Sequence, residues 1–290
     1  MTHVTARDRW AEWILERRFA DGDRRPTLEY LAGVRDKVLE KAEPVEKAVV
    51  LDVGCGDGLI GFGAIDRGAE EVVFSDISHD LLDTCKQGAR DLGVTDRCRF
   101  VRASADDLTP IADESVDVVT TRSVLIYVHD KARAFREFHR VLRPQGRVSL
   151  FEPINRWNSP WPPGWLWGYD LSAVAHLAER VRMAYQAYLP PDTDPMLDFD
   201  ERDLVDMAEA AGLAPVRLEL LVDAGSPRPR ALESFLRTVP NPKVPSFGEV
   251  IADVLAPDER EELCRHLRPL VEQGRGSIRS ATAYLSATKP

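Results

Sequence analysis

The segment 49-VVLDVGCGDGLIGFGAIDRGA-69 sets Gly54, Gly56 and Gly58 at alternate positions directly after an apolar run. Glycine lets a backbone approach a ligand closely and adopt angles closed to other residues. The helix expected from Leu59 onward offers unpaired N–H groups to a carboxylate or phosphate. Asp76 follows Gly56 by 20 positions (76 − 56), at the end of the next apolar run, 71-EVVFSD-76. A carboxylate so placed can accept hydrogen bonds from both hydroxyls of a ribose. The pattern therefore predicts a nucleoside cofactor with an anionic end. A dinucleotide fingerprint needs glycine or alanine three positions after Gly56, where this chain has Leu59. A nicotinamide dehydrogenase is disfavoured on that ground.

Positioning such a site takes strands and helices in alternation, and the sequence supplies them. Apolar runs at 48–53, 71–76, 98–103, 116–121 and 147–151 are bounded by turn signals. Helix-period segments lie between them: Leu81, Leu82, Cys85, Ala89 and Leu92, then Phe135, Phe138, Val141 and Leu142. That alternation predicts βαβ units around a parallel sheet, with Pro144-Gln145-Gly146 ending one helix and launching the fifth strand. Ahead of it, two amphipathic helices are expected, one carrying Trp10, Trp13, Ile14 and Arg17 and one carrying Leu28 to Leu39, broken at Asp21-Gly22-Asp23 and Pro26. Beyond it, 153–170 is irregular and holds four of the six tryptophans. A helix-like piece at 171–189 follows, then a helix over 200–212 with Asp200 as its N-cap and Gly212 as its stop, and a strand at 215–222. Helical pieces at 231–236, 247–255 and 258–273 precede a last strand at 278–288. The expected organisation is an N-terminal helical cap (1–45), a cofactor-binding core (46–152), an aromatic-rich insertion (153–199) and a completion of the sheet (200–290) with its own helical insertion (226–276).

The 290 residues carry 38 Lys and Arg against 48 Asp and Glu, a formal net charge of −10. That balance opposes a phosphate-tracking surface, so no nucleic-acid partner is expected. The four cysteines have neither CxxC nor zinc-finger spacing, so neither a disulfide framework nor a structural metal is expected. No apolar run approaches a membrane span and the N-terminus has no apolar signal core, which predicts a cytoplasmic protein with no membrane partner. The oligomeric state is not legible.

DVGCGDG at 52–58, followed by SDIS at 75–78, resembles the cofactor-binding motifs of class I S-adenosylmethionine-dependent methyltransferases. The segment 113-DESVDVVTTRSVLIYVHDKARAFREFHRVLRPQGRVSLFEP-153 is similar to that family's fourth strand, following helix and fifth strand. The resemblance is close over about residues 45–153 and looser over 200–223 and 276–290. It implies an α/β fold: a Rossmann-like, seven-stranded, mostly parallel sheet with an antiparallel end strand and helices on both faces. It also implies S-adenosylmethionine as cofactor and S-adenosylhomocysteine as product. Gly54, Cys55 and Gly56 would lie against the methionine part, with Asp52 near its ammonium group and Arg122 presenting its carbonyl to it. Asp76 would hold the ribose and Ile77 would pack on the adenine. The family usually has an acidic residue where Ser104 stands; here the Ser104 hydroxyl and the Ala105 N–H are expected at the adenine edge, with Asp106 nearby.

Methyl transfer is a direct displacement in which the protein aligns nucleophile, sulfur and methyl in a dry pocket. A base is needed only when the acceptor must lose a proton, and the candidates are Glu152, Tyr127 and His129. For His129 a surface or capping role is the alternative, and for Glu152 a structural hydrogen-bonding one. All sequence beyond the cofactor core is available to hold the acceptor. We therefore expect a small, largely apolar or aromatic methyl acceptor, walled by Trp10, Trp13, Tyr127, Trp157, Trp161 and Trp165. The same tryptophans could instead fill cores. A protein methyltransferase and a non-catalytic cofactor-binding protein are the competing readings.

Overall fold

The structure is a computed structural model that describes residues 7–16, 25–158 and 161–290. Five strands, β1 (Val49–Val53), β2 (Glu71–Asp76), β3 (Cys98–Arg102), β4 (Val116–Arg122) and β5 (Leu142–Pro153), alternate with α3 (Leu59–Asp66), α4 (His79–Asp91) and α5 (Lys131–Val141). Ahead of them lie α1 (Arg9–Leu15) and α2 (Arg25–Lys41). After them come a two-stranded hairpin, β6 (Trp165–Leu166) and β7 (Tyr169–Asp170), and then α6 (Ala175–Tyr188), α7 (Glu201–Ala210) and β8 (Val216–Gly225). The chain finishes with α8 (Leu232–Leu236), α9 (Phe247–Val254), α10 (Pro257–Glu272) and β9 (Ile278–Thr288).

Seven strands form one sheet in the order β3-β2-β1-β4-β5-β9-β8. The pairs among β1 to β5 are parallel, and β9, the last strand of the chain, runs antiparallel between β5 and β8. Successive residues of a strand face opposite sides of a sheet. Leu51 and Val53 accordingly enter the core beneath α5 and α7, whereas Val50 enters the one shared with α2 and α3. Both faces are covered, as the near-continuous apolar runs require.

The expected elements are present with shifted edges. The helix α5 stops at Val141, not at Pro144: Leu142 already pairs with Val116 in the sheet, and the register then slips by a bulge before Val118 pairs with Arg147. Leu142 is therefore strand, not helix. Asp200 caps α7 through the N–H groups of Arg202 and Asp203, with Asp203 answering on the Asp200 N–H, and Gly212 stops the helix region at φ 88°. Leu28 is exposed rather than packed. Arg17 and the Asp21-Gly22-Asp23 break lie outside the described residues.

A third apolar cluster stands apart from the two that flank the sheet. It joins Leu166, Tyr169, Leu177 and Val181 from the 153–199 stretch to Phe235, Phe247, Ile251, Leu263 and Leu267 from the 226–276 stretch. Two segments far apart in sequence thus share one core above the carboxyl ends of the strands. Among the described residues no helix is long and apolar enough to cross a membrane.

Candidate active site

Register sets the site. Val53 of β1 lies beside Ser75 of β2 and Thr121 of β4, so the chain leaves the sheet at neighbouring points: the glycine turn, Asp76 and Arg122. This is the crevice in which open α/β sheets bind ligands. Gly54 (φ 62°) and Gly56 (φ 57°) hold left-handed backbone angles. A Cβ on Gly54 would come within 2.3 Å of Val124 Cγ2, so no larger residue fits without displacing the opposite wall. The Gly56 N–H donates to Asp76 Oδ2 at 3.0 Å, and the Ser78 N–H donates to Asp76 Oδ1 at 2.9 Å. Each oxygen keeps a lone pair, and Asp76 lines the cavity in front of it. Burial pushes the Asp76 carboxyl up, an effect the two N–H groups oppose.

That cavity has a volume of about 330 Å3. Gly54, Gly56, Asp76, Ile77, Ser104, Ala105 and Arg122 line it, together with Trp10, Trp13, Tyr127 and Met196. Ile77 stands 44% exposed, an isoleucine with one face open to a flat partner. The Ser104 hydroxyl donates to Asp106 and keeps its own lone pairs. Helix α1 is fastened over the site: Asp8 caps it through the Trp10 and Ala11 N–H groups and accepts from the Ser78 hydroxyl at 2.6 Å. At its other face the Trp13 indole N–H donates to the Val239 carbonyl at 3.2 Å. The Trp10 ring meets Tyr127 edge to face at 4.9 Å.

Several expected site residues stand elsewhere. Asp52 does not line the cavity. Its carboxylate is buried beneath the turn, accepting from the Gly61 N–H at 2.9 Å and the Thr120 hydroxyl at 3.1 Å, and burial pushes it up to about 7. It holds the turn and α3 in place instead of meeting a ligand. The Cys55 side chain also points inward, with Sγ 3.9 Å from Cys85 Sγ, while its N–H ties the turn to the Ser75 carbonyl. Trp157, Trp161 and Trp165 do not line this cavity; they line neighbouring hollows, and Trp157 donates to Glu201 at 3.4 Å.

Among the candidate bases, Glu152 is corrected most clearly. It is wholly buried, and its carboxylate accepts from the N–H groups of Val124, Leu125 and Ile126 at 2.9, 3.0 and 3.3 Å. These are the unpaired donors at the start of a single-turn helix, Leu125–Tyr127, so Glu152 builds the loop that presents Tyr127. Burial raises it to about 7, with the three N–H groups opposing. His129 is exposed and does not line the cavity. Tyr127 does line it, and burial, followed by the Glu152 charge, pushes its phenol far up. A phenol so held keeps its proton at neutral pH and can donate a hydrogen bond.

The sequence reading passed over Asn155, Met196 and Pro240, which also line the cavity. Asn155 lies two residues beyond β5, and the rule that ligands gather at strand carboxyl ends could have found it. Met196 comes from the loop between α6 and α7 and Pro240 from the loop between α8 and α9, and neither carries a local signal.

Residues 51–150 match the family model described as "Methyltransferase domain". Over 115 residues the chain is 34% identical to the tRNA 5-carboxymethoxyuridine methyltransferase of Escherichia coli (strain K12), a match covering 40% of this chain and 43% of that protein. Over 155 residues it is 29% identical to the ubiquinone/menaquinone biosynthesis C-methyltransferase of Vibrio vulnificus (strain YJ016), covering 49% and 59% respectively. The chain thus spans less than two thirds of the length of these relatives. The fold is similar to that of a candidate methyltransferase from Bacillus halodurans C-125, with a TM-score of 0.56 and 19% identity over 88% of this chain and 98% of that one. The matched segment runs from β1 to β5, with the glycine turn and Asp76 at its strand ends, so residues 51–150 carry the methyltransferase domain that the family model describes.

Proposed function

We propose that this chain transfers a methyl group from S-adenosylmethionine to a small, largely apolar or aromatic acceptor, leaving S-adenosylhomocysteine. One observation carries the reading: a single cavity has a polar wall of backbone and carboxylate at Gly54, Gly56 and Asp76, and an aromatic wall at Trp10, Trp13 and Tyr127. The residues present suit the cofactor. Two glycines in left-handed geometry open the backbone to it, Asp76 keeps acceptor capacity for a ribose diol, and the exposed Ile77 face suits a purine. Ser104 and Ala105 would meet the edge of the base, and Arg122 the amino-acid end. When bound, the cofactor supplies an electrophilic methyl group on a positively charged sulfur.

The chain's own contribution is to place the acceptor and exclude water. Trp10, Trp13 and Met196 form a wall that cannot hydrate a nucleophile well, and the Tyr127 hydroxyl donates a hydrogen bond that orients it. Glu152 supports Tyr127 through the loop and is spent on three N–H groups. The acceptor therefore reacts without a carboxylate base from Glu152, passing any proton to solvent.

The test is incubation of the protein with methyl-labelled S-adenosylmethionine and a panel of phenols, aromatic amines and other apolar metabolites. Label in a small molecule supports the reading, and label only in polypeptide or RNA contradicts it. Tight binding of S-adenosylhomocysteine with no transfer to any acceptor favours a non-catalytic cofactor-binding protein.

A further inference from the structure

A second cavity, of about 250 Å3, lies beside the first, and Trp161, Trp165, Trp167, Tyr185, Leu197 and Val244 are among its walls. Pro240 lines both spaces; Met196 lines the first and its neighbour Leu197 the second. The partition between them is therefore two loop segments, 194–197 and 240–241. Its own polar side chains are satisfied: Asp194 accepts from the Met196 N–H at 2.9 Å, and Asn241 accepts from the Lys243 N–H at 2.8 Å. The Tyr185 hydroxyl, by contrast, is buried and has no hydrogen-bond partner among the described residues. A buried donor without a partner is unfavourable, so it marks a place that a ligand atom would complete. Burial pushes its phenol far up, which keeps it a donor.

We propose that this second cavity is the subsite for the far end of the methyl acceptor: an elongated molecule whose flat aromatic end lies among Trp161, Trp165 and Trp167 and accepts a hydrogen bond from Tyr185 through a carbonyl or ether oxygen. The proposal rests on the methyl-transfer reading and adds the acceptor's length and chemistry to it. Indole walls favour an aromatic end over an aliphatic one, because rings gain from stacked and edge-on contact beyond the area they bury. The two spaces share Pro240 as a wall and are divided only by the loop segments 194–197 and 240–241, so an acceptor that occupies both crosses at these loops.

Calorimetry with S-adenosylhomocysteine already bound tests this, using phenol, 4-benzylphenol and 4-hydroxybenzophenone as probes. The wild-type protein should prefer 4-hydroxybenzophenone to 4-benzylphenol, and Tyr185→Phe should erase that preference, a loss of roughly threefold to tenfold. Trp161 is half-buried, so Trp161→Ala leaves the fold intact; it should weaken both two-ring probes by about tenfold and leave phenol unchanged. S-adenosylhomocysteine affinity should be the same in all three proteins. The subsite is contradicted if the two-ring probes fail to bind the wild type while S-adenosylhomocysteine binds. It is equally contradicted if they respond no more than phenol does, or if the carbonyl preference survives Tyr185→Phe. Failure of S-adenosylhomocysteine itself to bind the wild type contradicts the transfer reading, and the subsite with it.

Discussion

The two sides of the main cavity are built by different physics. The Gly54–Asp76 side is made of strand ends, and its groups are locked by buried hydrogen bonds: Asp76 to two N–H groups, Asp52 to Gly61 and Thr120. The opposite side is made of side chains borrowed from a short helix and from loops of two insertions, held by apolar contact and by single bonds such as Trp13 to the Val239 carbonyl. A wall of the first kind has one shape and recognises one constant molecule. A wall of the second kind can be rebuilt by changing a few side chains, which suits the partner that differs between members of a fold.

The comparison breaks most readily on the rigid side. Asp76→Ala removes the ribose acceptor and loosens the Gly56 and Ser78 N–H groups, so S-adenosylhomocysteine affinity should fall by about a hundredfold or more in calorimetry. Retention of wild-type affinity would remove the ground for placing the sugar there. Gly54→Ala forces a Cβ toward Val124 in a left-handed backbone; a loss of about 1–3 kcal/mol in denaturant unfolding is expected, with weaker cofactor binding. Glu152→Gln leaves one carbonyl oxygen for three donors and should cost about 1–3 kcal/mol of stability. If Glu152 were instead a base, the variant would be stable and its rate would lose its rising limb with pH.

The smallest expected effects sharpen the account. Tyr127→Phe should change transfer by less than about tenfold, because the hydroxyl orients the acceptor and takes no proton. Burial disfavours the charge of Asp52 and pushes its carboxyl up to about 7 in the folded chain, from the ordinary 3.8. Between those values the folded state holds the proton that the unfolded chain has lost, so this group's contribution to stability falls as pH rises from about 4 to about 7. Thermal melts of Asp52→Asn should accordingly show a shallower decline across that window than the wild type.

Legibility in the sequence followed the same divide. Glycines in a fixed spacing and a carboxylate at the next strand end have local causes, so the turn at Gly54 and Gly56 and the strand end at Asp76 are legible in the sequence. The strands could be found too, because burial on both faces leaves unbroken apolar runs such as Val72 to Phe74. Asp52 and Glu152 were identified as polar residues at informative places, but whether a carboxylate faces a ligand or the interior depends on which N–H groups fold over it. Which hollow the tryptophans of 157–165 line is not legible for a related reason: composition gives the rings, and their placement depends on packing between segments far apart in sequence, as in the joint core of Tyr169, Phe235 and Phe247. Met196 and Pro240 reach the cavity through contacts between segments more than forty residues apart, for which the sequence has no period to read.

The central claim is that a sulfur-bearing nucleoside lies over Gly54 and Gly56 with its sugar on Asp76. A crystal structure with S-adenosylhomocysteine measures this directly. The account predicts both ribose hydroxyls within hydrogen-bonding distance of the Asp76 carboxylate and the purine against Ile77. Density for the nucleoside anywhere else, with the Asp76 oxygens left on Gly56 and Ser78 alone, would contradict it.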